Sequence, residues 1–289
     1  MTANKAPAKV RLQEEINFLL SNRIPRQLAN RLIGWLSHIE SPLLARVAIA
    51  VWRQFADLDF SESTAQHFTS LHACFTRQLD PGARPINPDP TIIASPCDAI
   101  VGACGAIEHT RLLQAKGFDY TLQELLRDPQ LVELYRDGQY ATLRLTSSMY
   151  HRFHAPYDCR VERVAHIPGD TWNVNPIALK RVDKLFCKNE RAIIPLIFPG
   201  SETVITLVPV GAILVASIRL HFLDLVLNNR THLGPEEFAC DVALHKGQEM
   251  GWFEHGSTIL VFAPPGVELC GSVQQGTVIR MGSALMRLC

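Results

Sequence analysis

From Asp80 to Pro90 the chain reads Asp-Pro-Gly-Ala-Arg-Pro-Ile-Asn-Pro-Asp-Pro, with four prolines and one glycine. Proline fixes φ and lacks a backbone N–H, so neither a helix nor a central strand can run through this stretch. The chain has to organise itself on either side, and the two sides carry different patterns. Before the break, apolar residues recur at helical spacing. Residues 26–39 put Leu28, Leu32, Ile33 and Leu36 on one stripe, with Trp35 close by. Ser41-Pro42 supplies an N-cap and a first-turn proline. The helix that follows aligns Leu44, Val47, Val51 and Phe55, and a third carries Phe68, Leu71, Phe75 and Leu79.

After the break, short β-rich runs alternate with turn residues. They lie at residues 138–145, 159–167, 192–198, 204–208, 213–218, 258–262 and 277–281. Only residues 121–135 and a few after Pro235 read as helix. The expected class is α+β. Amphipathic helices fill residues 1–80, and a mainly antiparallel β sandwich or barrel-like core fills residues 81–289.

Hydrophobic residues make up 47% of the chain, enough for a sizeable core. Lys plus Arg and Asp plus Glu both number 28, so nothing global calls for nucleic acid. Residues 1–56 nevertheless hold eight basic and three acidic residues. The helical stripes suit a core or a membrane interface equally, and the basic flanks with Trp35 favour an anionic membrane surface. A spanning helix needs about 18 uninterrupted apolar residues. The nearest run, residues 204–218, contains Pro209, Gly211 and Ser217, so peripheral attachment is expected. None of the eight cysteines forms C-x-x-C, which points to reduced thiols in a cytosolic protein and to no metal centre.

Three segments carry chemistry-bearing residues. Tyr150-His151-Arg152-Phe153-His154 offers two imidazoles suited to acid–base work. Ser95-Pro96-Cys97-Asp98 offers a turn carboxylate. Lys246-Gly247-Gln248-Glu249-Met250-Gly251 leads to Gly256-Ser257-Thr258 and an apolar strand. Glycine leaves its carbonyl open to approach, and a serine with a base beside it can attack that carbonyl. Three readings fit these residues: a self-cleaving enzyme, a serine hydrolase with an Asp–His–Ser triad, and a non-catalytic membrane-binding protein.

These segments, with Leu113-Gln114-Ala115-Lys116-Gly117, Tyr120-Thr121-Leu122, Leu185-Phe186, Asn189-Glu190-Arg191 and Val210-Gly211-Ala212, resemble in order the bacterial phosphatidylserine decarboxylases. The resemblance implies a carboxy-lyase that turns phosphatidylserine into phosphatidylethanolamine and carbon dioxide. It implies that Ser257 attacks the Gly256 carbonyl, and that the chain splits into a β chain, residues 1–256, and an α chain, residues 257–289. Ser257 becomes a pyruvoyl group, which forms a Schiff base with the substrate amine. By the same resemblance His154 is the base on Ser257, Asp98 orients His154, and His151 serves decarboxylation. It further implies a homodimer of processed protomers on the cytoplasmic side of the cell membrane. Arg152, Lys116 and Arg191 are substrate-binding candidates by position, with structural ion pairs the favoured role for each. Two positions depart from the family pattern. Ala99 stands where glycine is usual, and His255 where the residue before the scissile pair is usually aliphatic.

Overall fold

The computed structural model describes residues 26–114, 118–212, 217–228, 236–254 and 257–289. Helices α1 (Arg26–Ser37) and α2 (Pro42–Trp52) come first, followed by the short α3 (Leu71–Phe75). Ser41 caps α2 by accepting the Leu44 N–H, with Pro42 in the first turn. Most of the described stripe residues of the first two helices face outward, with Ile33 half-buried. Leu32, Trp35 and Leu36 are exposed, as are Leu43, Leu44, Val47 and Val51, and Phe55 just beyond α2 is 85% exposed. In α2 only Ala45 and Ile49 are buried. The third helix is shorter than its stripe: Ser70 caps it after Phe68, and it ends before Leu79.

Beyond the proline segment come β1 (Ile92–Ala94), β2 (Ala99–Ala106), and the antiparallel pair β3 (Arg111–Gln114) and β4 (Phe118–Thr121). The region expected as one helix, residues 121–135, is two: α4 (Leu122–Leu126) and α5 (Pro129–Leu134). Arg127 is left-handed, Asp128 caps the second helix and Pro129 occupies its first turn, so the hydrogen-bond ladder cannot continue. The chain continues through β5 (Gln139–Leu145), β6 (Arg152–His154) and β7 (Cys159–Ile167). Short helices α6 (Pro176–Leu179) and α7 (Leu185–Lys188) precede β8 (Arg191–Ile197) and β9 (Val204–Gly211). Then follow β10 (Ile218–Leu220), β11 (Leu225–Leu227), β12 (Glu236–Leu244) and β13 (Glu249–Phe253). The last elements are β14 (Ser257–Ala263), β15 (Val267–Leu269), β16 (Val278–Ile279) and β17 (Ala284–Leu288).

The residues after Pro235 are therefore strand, not helix. Phe238, Cys240 and Val242 pack against the core while Glu237, Asp241 and Ala243 stay exposed, the period-two signature of an edge strand.

One eight-stranded sheet runs β12-β7-β8-β9-β14-β5-β2-β16 with antiparallel pairing throughout. Its end strands β12 and β16 do not pair with each other, so among the described residues the sheet is open, not a closed barrel. A four-stranded sheet, β11-β10-β13-β6, and a three-stranded sheet, β1-β17-β15, complete the β structure. Alternate residues of β14 enter two different cores. Ile259 and Val261 pack with Phe153, Phe253 and Ile218 of the four-stranded sheet. Leu260 and Phe262 pack with Leu122, Leu125, Leu131 and Leu185 from the helices. All seven residues of β14 are buried, which explains its unbroken apolar run. The molecule is a β sandwich whose large sheet also carries helices on its outer face.

Gly251 in β13 leaves no room for a side chain against β10, its neighbour in the four-stranded sheet. A Cβ there would sit 1.9 Å from the Arg219 carbonyl oxygen. Gly251→Ala is expected to destabilise the protein by about 2–3 kcal/mol, because β10 must shift away from β13. Urea unfolding monitored by tryptophan fluorescence measures this.

Candidate active site

Three sequence-distant segments meet at one edge of the sandwich. Strand β6 pairs with β13, with His154 opposite Glu249 and Phe153 opposite Gly251. The His154 N–H donates to Pro96 O at 2.8 Å, and the Ala155 N–H donates to Gln248 O at 2.8 Å. The segments 95–98, 150–156 and 246–253 are thus joined by backbone hydrogen bonds, which places Asp98 and His154 on neighbouring segments.

The His154 ring is 7% exposed and held at both nitrogens. Nδ1 lies 2.9 Å from Gly247 O, and Nε2 lies 3.0 Å from the Tyr150 hydroxyl. A carbonyl oxygen only accepts, so Nδ1 carries the hydrogen and donates it to Gly247. Nε2 then keeps its lone pair and accepts the Tyr150 O–H. Burial pushes the Tyr150 phenol above its ordinary value, which keeps that hydrogen in place. Burial also lowers His154 below the ordinary histidine value, partly offset by the Gly247 carbonyl. His154 is therefore neutral at neutral pH, the form in which an imidazole can accept a proton.

Asp98 is held elsewhere. Arg84 reaches its carboxylate with Nε at 2.9 and 3.1 Å and with a terminal nitrogen at 2.6 Å. The Met281 N–H donates to it at 2.8 Å. Burial by itself lowers the Arg84 guanidinium, and the Asp98 and Glu62 carboxylates more than offset that, leaving it above its ordinary value. No hydrogen bond joins Asp98 to His154, or His154 to Ser257, among the described residues. Ala99 begins β2 and pairs with Ile279. It is not among the residues with positive φ and its methyl is buried in the core, so alanine is unstrained there.

Ser257 opens β14. It pairs with Leu145 on one side and Gly211 on the other, and it is fully buried. Its Oγ has no hydrogen-bond partner among the described residues, and the same holds for Thr258 Oγ1. A buried hydroxyl without a partner costs on the order of 1–3 kcal/mol, so such a group calls for an explanation. Gly256 and His255 lie outside the described residues. On the other side of the bond the Phe253 N–H donates to His151 O at 3.0 Å, which brings β13 against His151. His151 donates from Nδ1 to Met149 O at 2.8 Å, and its fully buried ring meets Phe75 edge-on at 5.1 Å.

The remaining candidates hold the frame. Arg191 is fully buried and donates to the carbonyls of Glu124, Leu125, Cys187 and Asn189, closing the C-terminal ends of α4 and α7. Burial pushes its guanidinium down to about 10. Arg152 donates to Thr76 O and Glu249 and lies over the Trp252 ring. Asn189 donates to Gly211 O at 2.8 Å, bracing the strand beside Ser257. Lys116 lies outside the described residues. Sequence reading missed Arg84 and the hydroxyl of Tyr150. Tyr150 sits four residues before His154 and Arg84 lies inside the proline segment, and neither spacing marks a contact.

A family model described as phosphatidylserine decarboxylase matches residues 71–287, which include all of these groups. The chain belongs to the phosphatidylserine decarboxylase family, and is thus a carboxy-lyase. It is 36% identical over 279 residues to the phosphatidylserine decarboxylase proenzyme of Vibrio cholerae serotype O1, covering 93% of this chain and 97% of that one. It is 33% identical over 272 residues to the proenzyme of that name from Myxococcus xanthus, covering 91% and 94%. The relation to the proenzyme of Haemophilus influenzae is 32% over 270 residues. The family match begins at residue 71, so the family pattern crosses the proline segment and takes in α3.

The sign of the His154 shift sets a pH dependence. Burial depresses its pKa from 6.5, so its contribution to stability is complete above that value and is lost as pH falls through the depressed value. Thermal midpoints are expected to fall below about pH 6.5, and to fall less steeply in His154→Gln.

Proposed function

We propose that this chain is a phosphatidylserine decarboxylase made as a proenzyme that cuts itself between Gly256 and Ser257. The observation that carries this is the buried Ser257 Oγ, without a partner among the described residues, at the head of a strand that follows a glycine in the sequence. Attack forms the Oγ–carbonyl bond and breaks the Gly256–Ser257 peptide bond, giving an ester and a free amine. Removal of the Ser257 α-proton then breaks the Cβ–Oγ bond. Gly256 leaves as a carboxylate and dehydroalanine remains. Water adds to its imine form, ammonia leaves, and a pyruvoyl group caps residue 257. When present, that group supplies an electrophilic ketone and an electron sink for loss of carbon dioxide.

The residues suit these roles. His154 is neutral and keeps an acceptor at Nε2, which Tyr150 occupies in this state. Its use as the base on Ser257 requires that hydrogen bond to be exchanged for one from Ser257. Asp98 and Arg84 fix the turn that carries Pro96, whose carbonyl holds the His154 backbone. In this reading Asp98 positions His154 through the chain. His151 lies against the strand that leads into the scissile bond, where it can deliver a proton to substrate. The strand ladder retains the product. The 33 residues from Ser257 supply β14 to β17, which pair with β1, β2, β5 and β9. The α and β chains therefore stay together without a peptide link.

Intact mass spectrometry tests the reading. Wild type is expected as two chains, the smaller lacking a free amine, and Ser257→Ala as one chain without decarboxylase activity. A serine hydrolase using the same residues gives one chain in both.

Substrate in a bilayer requires docking, and the outward face of α1 and α2 supports it. No helix among the described residues is long and apolar enough to cross a membrane. Leu43, Val47 and Phe55 are 69%, 55% and 85% exposed, next to the basic Arg46 and Arg53. The combined change Leu43→Ser, Val47→Ser, Phe55→Ser is expected to weaken binding to anionic liposomes roughly tenfold or more, since each removed apolar side chain contributes about 1.5–3 kcal/mol when buried. Self-cleavage is expected to be unchanged, because none of the three is buried in the core. Liposome co-sedimentation and a denaturing gel separate the two effects, and unchanged sedimentation removes the docking assignment.

A further inference from the structure

Three metal-ligand side chains from distant parts of the chain meet beside the segment that leads to Gly256–Ser257. His38 follows α1, His72 lies in α3, and Glu254 follows β13. One donor atom from each lies within 4.8 Å of the other two. The two imidazoles stack at 4.1 Å with their planes 23° apart. Separations of 34 and 182 residues along the chain give no spacing pattern, so reading the sequence for metal motifs passes over the set.

The hydrogen bonds prepare the donors. His38 Nδ1 lies 2.8 Å from Gly34 O, which can only accept. Nδ1 therefore carries the hydrogen and Nε2 keeps its lone pair. An imidazole that donates its other nitrogen to a backbone carbonyl is oriented as metal-binding histidines are. His72 Nδ1 is buried and has no hydrogen-bond partner among the described residues. The His72 ring stands beside the Glu254 carboxylate and the His38 imidazole, a combination that attracts a cation.

We propose that His38, His72 and Glu254 bind a divalent transition-metal cation of the zinc type. Two nitrogens and one carboxylate oxygen suit zinc and disfavour calcium and magnesium, which take oxygen shells. Ligands at 2.0–2.1 Å around a tetrahedral ion stand about 3.3 Å apart, so side-chain rotation that turns the stacked rings toward one point and draws the donors in by up to about 1.5 Å closes the set. Three protein ligands leave a fourth position for water. The ion would tie α1 and α3 to a residue two positions before Gly256. Glu254 is otherwise anchored through its N–H, which donates to Ser217 O at 3.3 Å. If the chain is cut at Gly256–Ser257, as proposed above, the ion also secures the new end of the β chain.

The test uses the full chain freed of metal by a chelator, titrated with Zn²⁺ by calorimetry and with Co²⁺ by visible absorption. The expected result is one ion per chain, with affinity reduced roughly tenfold or more in His38→Ala, His72→Ala and Glu254→Gln. Bound Co²⁺ is expected to show d–d bands without a thiolate charge-transfer band, which excludes the free cysteines as ligands. No binding by wild type, equal binding by all three variants, or a thiolate band overturns the proposal. His38 is an exposed residue beyond a helix end, so His38→Ala decides the matter if His72→Ala does not fold. The same titration on Ser257→Ala keeps metal binding separate from chain cleavage, so either reading can fail without the other.

Discussion

Strand β14 is buried on both faces and paired on both edges, and most of the molecule is arranged around it. Its alternate side chains enter two separate hydrophobic cores. Its edges are occupied by β5 and β9. A strand held in this way cannot slip by one residue without exchanging its two sets of side chains between unlike cores. Ser257 at its head is therefore fixed in register, with its hydroxyl in a dry environment and no partner among the described residues. The free energy of the ladder and the two cores offsets the cost of that unmade hydrogen bond.

The candidate residues His154 and Asp98 are positioned by backbone as much as by side chains. His154 takes its place from the Pro96 and Gly247 carbonyls, and the Pro96 turn is locked by the buried pair of Arg84 and Asp98. This explains why a residue in the proline segment belongs to the site. It also links the helical N-terminal part to the core. Phe75 stacks on Trp52 and meets the ring of His151, and Arg77 and Arg152 hydrogen-bond across the same boundary. The outward apolar face of α1 and α2 and the buried site are thus only a few side chains apart.

Legibility in the sequence followed periodicity. Residues 159–167 form a strand with the bounds its pattern suggests, and residues 138–145 and 258–262 each lie within one residue of a strand. The segment after Pro235 misled because its alternation is weak: Ala239 and Ala243 stand where an exposed edge strand tolerates small residues. The 121–135 helix misled because its apolar pattern runs across a break set by one left-handed residue and a proline. The stripes of α1 and α2 were visible, but a helical wheel does not say whether its apolar face meets protein or solvent. The short strands β1 and β15 hold three residues each, too few to show any period, while β16 lies inside the β-rich run at residues 277–281.

The sequence by itself determined the class of the fold, the family and the position of the Gly256-Ser257 pair, because local pattern and motif order are written along the chain. Tertiary structure alone decided the partners. Asp98 meets Arg84, His154 meets Tyr150 and Gly247, Arg191 closes two helices, and His38, His72 and Glu254 converge. Each of these contacts depends on the packing of elements distant in the chain. Their geometry is fixed by backbone hydrogen bonds and shared cores, which no spacing between residues encodes.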